Sequence, residues 1–124
     1  FLSAEIDAPD FFEQLTNWLP QKADVVTMLA FIEHIQAPEK MLAGIRNILK
    51  PNGRVILTTP HPVGRTLHDS LAKIGLCSSS AAAEHEKFFN QAELASIAKQ
   101  ADYRVMHYSR FLFGLNQVME IKAQ

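Results

Sequence analysis

The sequence predicts an α/β fold built around parallel strands. Three consecutive segments support this prediction. Residues 23–29 form an apolar, β-branched run, Pro38 opens a segment with helical periodicity, and residues 54–59 form a second apolar run. Short connections join the three segments, and a strand-helix-strand unit of this kind is right-handed with parallel strands in nearly all proteins.

Each part of this unit has its own signal. Residues 23–29 lack a clean alternation of apolar and polar side chains, which favours a strand covered on both faces. The helix that follows Pro38 ends at the turn sequence Pro51-Asn52-Gly53. Its apolar positions recur at helical spacing and predict one buried stripe, formed by Met41, Leu42, Ile45, Ile48 and Leu49.

The segment before this unit predicts a strand and a short helix. Residues 1–6 are apolar and strand-like, and Asp7-Ala8-Pro9-Asp10 supplies helix-start residues ahead of an amphipathic helix that Pro20 ends. Apolar strand residues seldom form the free end of a domain, because termini are usually exposed and polar. We therefore expect residues 1–124 to be one part of a single longer domain.

The second half of the chain predicts a loop, a helix and a hairpin. Residues 60–87 are rich in Pro, Ser and Ala and favour a long substrate-side loop or lid, within which residues 66–74 are a candidate helix. Asn90 and Glu93 have the spacing of a capping box that opens another helix. Residues 104–113 and 117–122 read as strands around a turn that contains Gly114, which is typical of a hairpin.

Composition excludes several classes of function. The 124 residues contain 12 Lys and Arg against 13 Asp and Glu, so the net charge of −1 offers no excess with which to neutralise the phosphates of nucleic acid. The single Cys77 forms neither an internal disulfide nor a thiolate zinc cluster. No apolar run approaches the roughly 20 residues that span a bilayer. We expect a cytoplasmic protein without a nucleic-acid or membrane partner.

Three motifs at matching spacing resemble class I S-adenosylmethionine-dependent methyltransferases. They are Asp24-Val25-Val26, the turn Phe31-Ile32-Glu33-His34-Ile35, and Leu49-Lys50-Pro51-Asn52-Gly53 ahead of the next strand, where Asn52 replaces the family's first Gly. The resemblance implies a Rossmann-like sheet that ends in a C-terminal antiparallel hairpin. The sheet would be incomplete on its N-terminal side, because the family's glycine-rich loop and ribose-binding acid have no counterpart in the 124 residues.

The same resemblance implies a set of site residues. S-adenosylmethionine would contact Glu5 and Ile6, with Asp7 as a rival for Glu5, and would contact the turn after the central strand. A small-molecule acceptor would contact side chains beyond the next strand. No catalytic residue and no metal ligand is assigned. The implied cofactor contacts in the turn are Met28, Leu29, Ala30 and His34, and the implied acceptor contacts are His61 and His85, each of which has core packing or a solvated turn as its structural alternative.

The resulting expectation is methyl transfer to oxygen, nitrogen or carbon of a small molecule. The alternative is a truncated, non-catalytic domain that binds a partner. A short-chain oxidoreductase is disfavoured, because neither Tyr103 nor Tyr108 is followed four residues later by Lys. The strand at residues 23–29 would have one unpaired edge, which further sequence, a second copy of the chain in a homo-oligomer, or a replacement element would cover.

Overall fold

The structure is a computed structural model that describes residues 4–76 and 87–124. The helices are α1 (Phe11–Trp18), α2 (Pro38–Ile48), α3 (Pro62–Lys73) and α4 (Gln91–Gln100), with a 3-10 turn at Ile32–His34. The strands are β1 (Ala23–Leu29), β2 (Leu49–Pro60), β3 (Tyr103–Phe111) and β4 (Asn116–Ala123).

The four strands form one mixed sheet in the order β1-β2-β4-β3. β1 and β2 are parallel neighbours joined through α2, which confirms the predicted strand-helix-strand unit. β3 and β4 form the predicted antiparallel hairpin, and β4 pairs antiparallel with β2. In the described part of the chain, β1 is therefore an edge strand, as predicted.

The core lies between one face of the sheet and the helices α1, α2 and α4. The predicted stripe of α2 is buried along its whole length. Strands β2 and β4 direct alternate residues to the same face, so that Val55 pairs with Ile121 and Leu57 pairs with Met119, all four nearly inaccessible. This alternation is the period-2 pattern of a sheet with one covered face.

β1 differs from the prediction of a strand covered on both faces. Val25 and Leu29 are exposed, whereas Met28 lies in the core. The β-branched composition of this run identified the strand correctly, but burial on its second face and edge depends on neighbours that the described residues do not supply.

Three boundaries also differ from the sequence predictions. Residues 4–6 of the predicted opening strand form coil and the start of a turn. β2 begins at Leu49, directly at the end of α2, because Asn52 takes a positive φ of 64° and lets the strand continue through the turn sequence. The first part of the predicted loop at residues 60–87 is helical from Pro62, where proline occupies the first turn.

Two helix starts show why sequence signals succeed or fail locally. Asn90 and Glu93 form the predicted capping box, with bonds of 2.9 Å from the Glu93 amide to Asn90 Oδ1 and 2.7 Å from the Asn90 amide to Glu93 Oε2. Asp10 occupies the N-cap of α1 but does not cap it. Its carboxylate instead accepts a hydrogen bond from Nε2 of the Gln14 side chain at 2.9 Å.

Candidate functional site

The carboxyl ends of β1 and β2 lie side by side. Leu29 is the register partner of Thr58, so the two parallel strands end at the same rim of the sheet. The Ala30 amide donates to the Thr58 carbonyl at 3.0 Å and lies 3.2 Å from Thr58 Oγ1. Ligands of open α/β sheets bind outside the carboxyl ends of the strands, so this rim is the candidate site.

The three predicted contacts at the end of β1 divide between core and rim. The Met28 side chain is 4% exposed and packs in the core, while Leu29 is 64% exposed at the rim. Ala30 is exposed and turns the chain out of the sheet with a φ of 48°. Leu29 and Ala30 are therefore accessible to a ligand, and Met28 offers only its backbone.

The turn after β1 buries the acid Glu33 and leaves the predicted cofactor contact His34 exposed. His34 is exposed, whereas Glu33 is 3% exposed and its Oε2 accepts a hydrogen bond of 2.9 Å from the Thr59 hydroxyl. Sequence reasoning did not select Glu33 or Thr59. Glu33 lies in the turn after β1 and Thr59 lies near the carboxyl end of the neighbouring strand β2, and these positions alone do not reveal a pair.

The segment that leads into α4 is bonded to this same turn. The Lys87 amide donates to the Glu33 carbonyl at 3.1 Å, and its ammonium group donates to the Gln36 carbonyl at 2.8 Å. Gln117 at the start of β4 is fully buried, and its side-chain amide donates to the carbonyls of Pro60 and Phe89. These bonds hold the end of β2, the start of β4 and the start of α4 together at the rim.

His61 caps a helix and lines a cavity. Its Nδ1 accepts a hydrogen bond from the Val63 amide at 3.2 Å, which makes His61 the N-cap of α3. An Nδ1 that accepts a hydrogen bond carries no proton, so the neutral ring holds its proton on Nε2. Partial burial lowers the pKa of His61, and the nearby Arg110 cation lowers it further.

This cavity, of about 500 Å³, lies between α4 and the hairpin. Tyr108 closes one side and donates its hydroxyl to Gln117 Oε1 at 2.9 Å. Arg110 lines the cavity and bonds the Gly114 carbonyl through Nε at 3.1 Å. The remaining lining residues, apart from His61, belong to the start of α4 and are Asn90, Gln91, Ala92 and Ala95.

A smaller apolar cavity of about 210 Å³ lies beside β1, between α1 and α2. Phe31 and Leu29 line it at the rim, and Leu15 lines it from α1. Its lining is almost entirely hydrophobic, so it suits an apolar or aromatic group and offers few polar contacts.

The remaining predicted residues stand apart from these contacts. The Glu5 side chain is exposed, and the Glu5 carbonyl accepts a bond from the Ala8 amide at 3.1 Å. Ile6 packs against the core. The predicted acceptor contact His85 lies outside the described residues. In residues 4–76 and 87–124 there is no cluster of metal-ligating side chains and no helix long and apolar enough to cross a membrane.

Comparison with known proteins relates the chain to one family. The family described as "Methyltransferase domain" matches residues 3–108. The ubiquinone biosynthesis O-methyltransferase of Schizosaccharomyces pombe is 33% identical in an alignment of 97 residues that covers 68% of this chain and 32% of the relative. The enzyme of the same name from Actinobacillus pleuropneumoniae is 29% identical over 85% of this chain and 46% of its own length.

Solved structures share the fold at low sequence identity. Magnesium protoporphyrin IX methyltransferase from Synechocystis aligns with a TM-score of 0.60 at 16% identity, over 86% of this chain and 48% of its own. A possible histamine N-methyltransferase from Thermotoga maritima aligns with a TM-score of 0.62 at 19% identity, over 86% and 60%. The chain spans a third to just under half of the first curated relatives it matches.

Proposed function

This chain belongs to the class I S-adenosylmethionine-dependent methyltransferase family, and we propose that it transfers a methyl group to an oxygen atom of a small-molecule acceptor. The observation that supports this proposal is the pairing of Leu29 with Thr58, which places the ends of two parallel strands at one rim. The curated relatives named as O-methyltransferases support oxygen as the acceptor atom.

The residues at the rim fit S-adenosylmethionine, the cofactor of the family. Leu29 offers an exposed apolar surface for the adenosyl group, and the adjoining cavity is lined by apolar side chains. Glu5, Ile6 and His34 stay proposed contacts, with Glu5 supplying a carboxylate that accepts from an exocyclic amine. When bound, the cofactor supplies an activated methyl group whose leaving group is neutral.

Methyl transfer to an acceptor oxygen that has already lost its proton to solvent requires mainly alignment and exclusion of water. The bonded turn after β1 provides alignment, since Glu33 and Thr59 fix it to the end of β2. His61 presents Nε2–H as a hydrogen-bond donor, because the Val63 amide occupies Nδ1. We therefore assign His61 to orientation of the acceptor oxygen rather than to removal of its proton. His85 remains a proposed acceptor contact.

Calorimetric titration of S-adenosylmethionine into the protein tests the cofactor part of the proposal. Leu29→Asp should abolish or strongly weaken binding, because a carboxylate would replace the apolar surface at the rim. Val25→Asp is the matched control, since Val25 is an exposed apolar residue on the same strand and away from its carboxyl end. Binding by wild type and Val25→Asp, but not by Leu29→Asp, is expected.

Absence of a binding heat from the folded protein would contradict the proposal and favour the non-catalytic alternative. Equal binding by Leu29→Asp and wild type would place the cofactor elsewhere. Formation of S-adenosylhomocysteine with phenolic, amine and carbon acceptors then separates the proposed oxygen chemistry from the other two classes.

A further inference from the structure

Exposed apolar side chains concentrate at one end of the described molecule. Seven of its twelve exposed large hydrophobic residues belong to α3, to the residues just after it, or to the tip of the hairpin. Isolated exposed apolar side chains are ordinary on soluble proteins, but a group of them marks an interaction surface. The seven residues are Val63, Leu67, Ile74, Leu76, Phe111, Leu112 and Phe113.

The helix α3 turns its apolar stripe toward solvent. Val63, Leu67, Leu71 and Ile74 follow the i, i+4, i+8, i+11 spacing of a single helix face. A stripe of this kind normally faces the core, yet no residue of α3 is buried and three of the four side chains are exposed.

The tip of the hairpin holds its apolar side chains outward by backbone constraint. Leu112 and Phe113 both have positive φ, 49° and 56°, and Phe113 is fully exposed. Arg110 fixes the turn, since Nε and Nη2 both donate to the Gly114 carbonyl, at 3.1 and 2.6 Å. Positive φ is uncommon for residues other than glycine, so two apolar residues are held outward in a conformation that is not intrinsically favoured.

The start of α3 and the tip of the hairpin are in contact. The His61 amide donates to the Leu115 carbonyl at 2.8 Å, and Gly64 lies against the same carbonyl. We call the exposed apolar side chains of these two adjoining elements the apolar rim and define it as Val63, Leu67, Phe111, Leu112 and Phe113. It lies beyond the carboxyl end of β2, because Pro60 pairs with Asn116 at the base of the hairpin tip.

The charge around the apolar rim is opposite in sign to that of the whole chain. The helix α3 and the hairpin tip, residues 110–116, together contain three basic residues and one acidic residue, whereas the chain carries a net charge of −1. The single acidic residue is Asp69, and its Oδ2 lies 3.9 Å from Nε of Arg65. The basic residues are Arg65, Lys73 and Arg110.

We propose that the apolar rim docks on the surface of an anionic lipid bilayer. Its elements are a helix and a hairpin tip with exposed apolar side chains, which suit entry into the headgroup region, and the excess of basic residues in these elements suits anionic headgroups. This departs from the expectation of no membrane partner. That expectation came from the lack of a spanning segment, which peripheral docking does not need.

Docking would place the candidate site next to molecules dissolved in the membrane. An amphiphilic acceptor would then reach the rim of the sheet without leaving the bilayer, a consequence that rests on the proposed function. Docking itself does not rest on the proposed function, because docking needs neither cofactor nor acceptor.

Co-sedimentation of the protein with vesicles tests the proposal. We expect binding to phosphatidylcholine vesicles that contain phosphatidylglycerol, and much weaker binding to pure phosphatidylcholine. Phe113→Ser should lower the partition coefficient about tenfold or more, given the transfer free energy of one aromatic side chain. Trp18→Ser is the matched control, since Trp18 is an exposed aromatic residue that precedes the opposite, amino end of β1.

Fluorescence provides a second readout that a misfolded variant would not imitate. The chain contains one Trp, so Trp18→Phe combined with Phe113→Trp places the only indole at the hairpin tip. Its emission should shift to shorter wavelength when phosphatidylglycerol vesicles are added. The unmodified protein, whose indole is at residue 18, should show no such shift.

Two outcomes would overturn the proposal. One is equal vesicle binding by wild type and Phe113→Ser, with no emission shift at the tip. The other is concentration-dependent self-association of the wild-type protein, removed by Phe113→Ser, together with no binding to vesicles. That result would identify the apolar rim as a protein interface. Calorimetry with S-adenosylmethionine is a separate measurement, so failure of docking and failure of the proposed function remain distinguishable.

Discussion

Thr59 Oγ1 donates a hydrogen bond of 2.9 Å to Oε2 of Glu33, and both residues are buried. Glu33 belongs to the turn after β1, and Thr59 lies near the end of β2. The bond therefore joins the two chain segments that form the carboxyl rim. A buried carboxylate without a partner is costly, so the hydroxyl determines whether this turn is stable where it lies.

Thr59→Val should destabilise the protein, because it keeps the shape of the side chain but removes the donor to a buried carboxylate. We expect a loss of about 1–3 kcal/mol in the free energy of unfolding. Glu33→Gln should cost less, since its amide oxygen still accepts from Thr59. Thr27→Val, on the exposed part of β1, is the matched control. Urea denaturation measures all three, and a Thr59→Val loss no larger than that of Thr27→Val would contradict the role of the bond.

Ala30→Gly should keep or raise stability. Ala30 has a φ of 48°, and left-handed geometry costs a residue with a Cβ roughly 1–2 kcal/mol. Glycine removes that cost but adds about 0.5–1 kcal/mol of unfolded-chain entropy, so the net change in the free energy of unfolding is expected between zero and a gain of about 1.5 kcal/mol. Ala30→Val should lower it, because β-branched residues tolerate this geometry poorly. A clear loss for Ala30→Gly in denaturant titrations would argue against strain at this turn.

His61 should make stability depend on pH near neutrality. Partial burial, with Arg110 as a second cause, lowers the pKa of His61 in the folded state. Between the two pKa values, the unfolded chain therefore binds more protons than the folded protein. The contribution of His61 to stability is complete above the ordinary histidine pKa, and it is lost as the pH falls through the folded-state pKa. NMR titration of the His61 ring should give a midpoint below the ordinary value, and a raised midpoint would contradict the capping geometry.

Replacement of His61 tests how much stability the residue contributes as the N-cap of α3, and how that contribution depends on protonation of its ring. His61→Ala should destabilise the protein by about 0.5–2 kcal/mol at pH 8, where the ring accepts from the Val63 amide. The difference from wild type should shrink at pH 5, because a protonated Nδ1 no longer accepts. His61→Asn should retain most of the stability at both pH values, since asparagine is a good N-cap. Thermal unfolding followed by circular dichroism at the two pH values measures this.

Gly44→Ala should destabilise the contact between α1 and α2. A Cβ at this position would overlap the ring of Phe12, and overpacking of this kind costs typically about 1–3 kcal/mol. In the background of Phe12→Ala the ring is gone, and Gly44→Ala should then be stabilising by about 1 kcal/mol through helix propensity. The change of sign in this double-mutant cycle is the measurement. The same effect of Gly44→Ala in both backgrounds would contradict the contact.

Much of the fold was predictable where local signals and tertiary packing agree. The run Ala23–Leu29, the stripe of α2, the capping box at Asn90 and the hairpin around Gly114 all lie where the sequence placed them. The start of α3 was predicted four residues too late, because the cap is a histidine. Histidine is not among the residues that favour this position.

The candidate site was less predictable than the fold. The rim followed from the order of strand, helix and strand, and Leu29 and Ala30 lie on it as expected. The importance of Glu33 did not follow, since its partner Thr59 is 26 residues away. His34 and Glu33 are adjacent in sequence, and only the path of the turn decides which of them is buried.

The sequence by itself determined the family, the parallel β1-α2-β2 unit and the rim at which the two strands end. These depend on local periodicity, turn residues and motif spacing, which are written along the chain. Tertiary structure alone decided which face of α3 meets solvent, which polar groups pair across the rim, and that two apolar residues of the hairpin tip point outward. Such features depend on distant segments that approach one another, and local sequence carries no record of that approach.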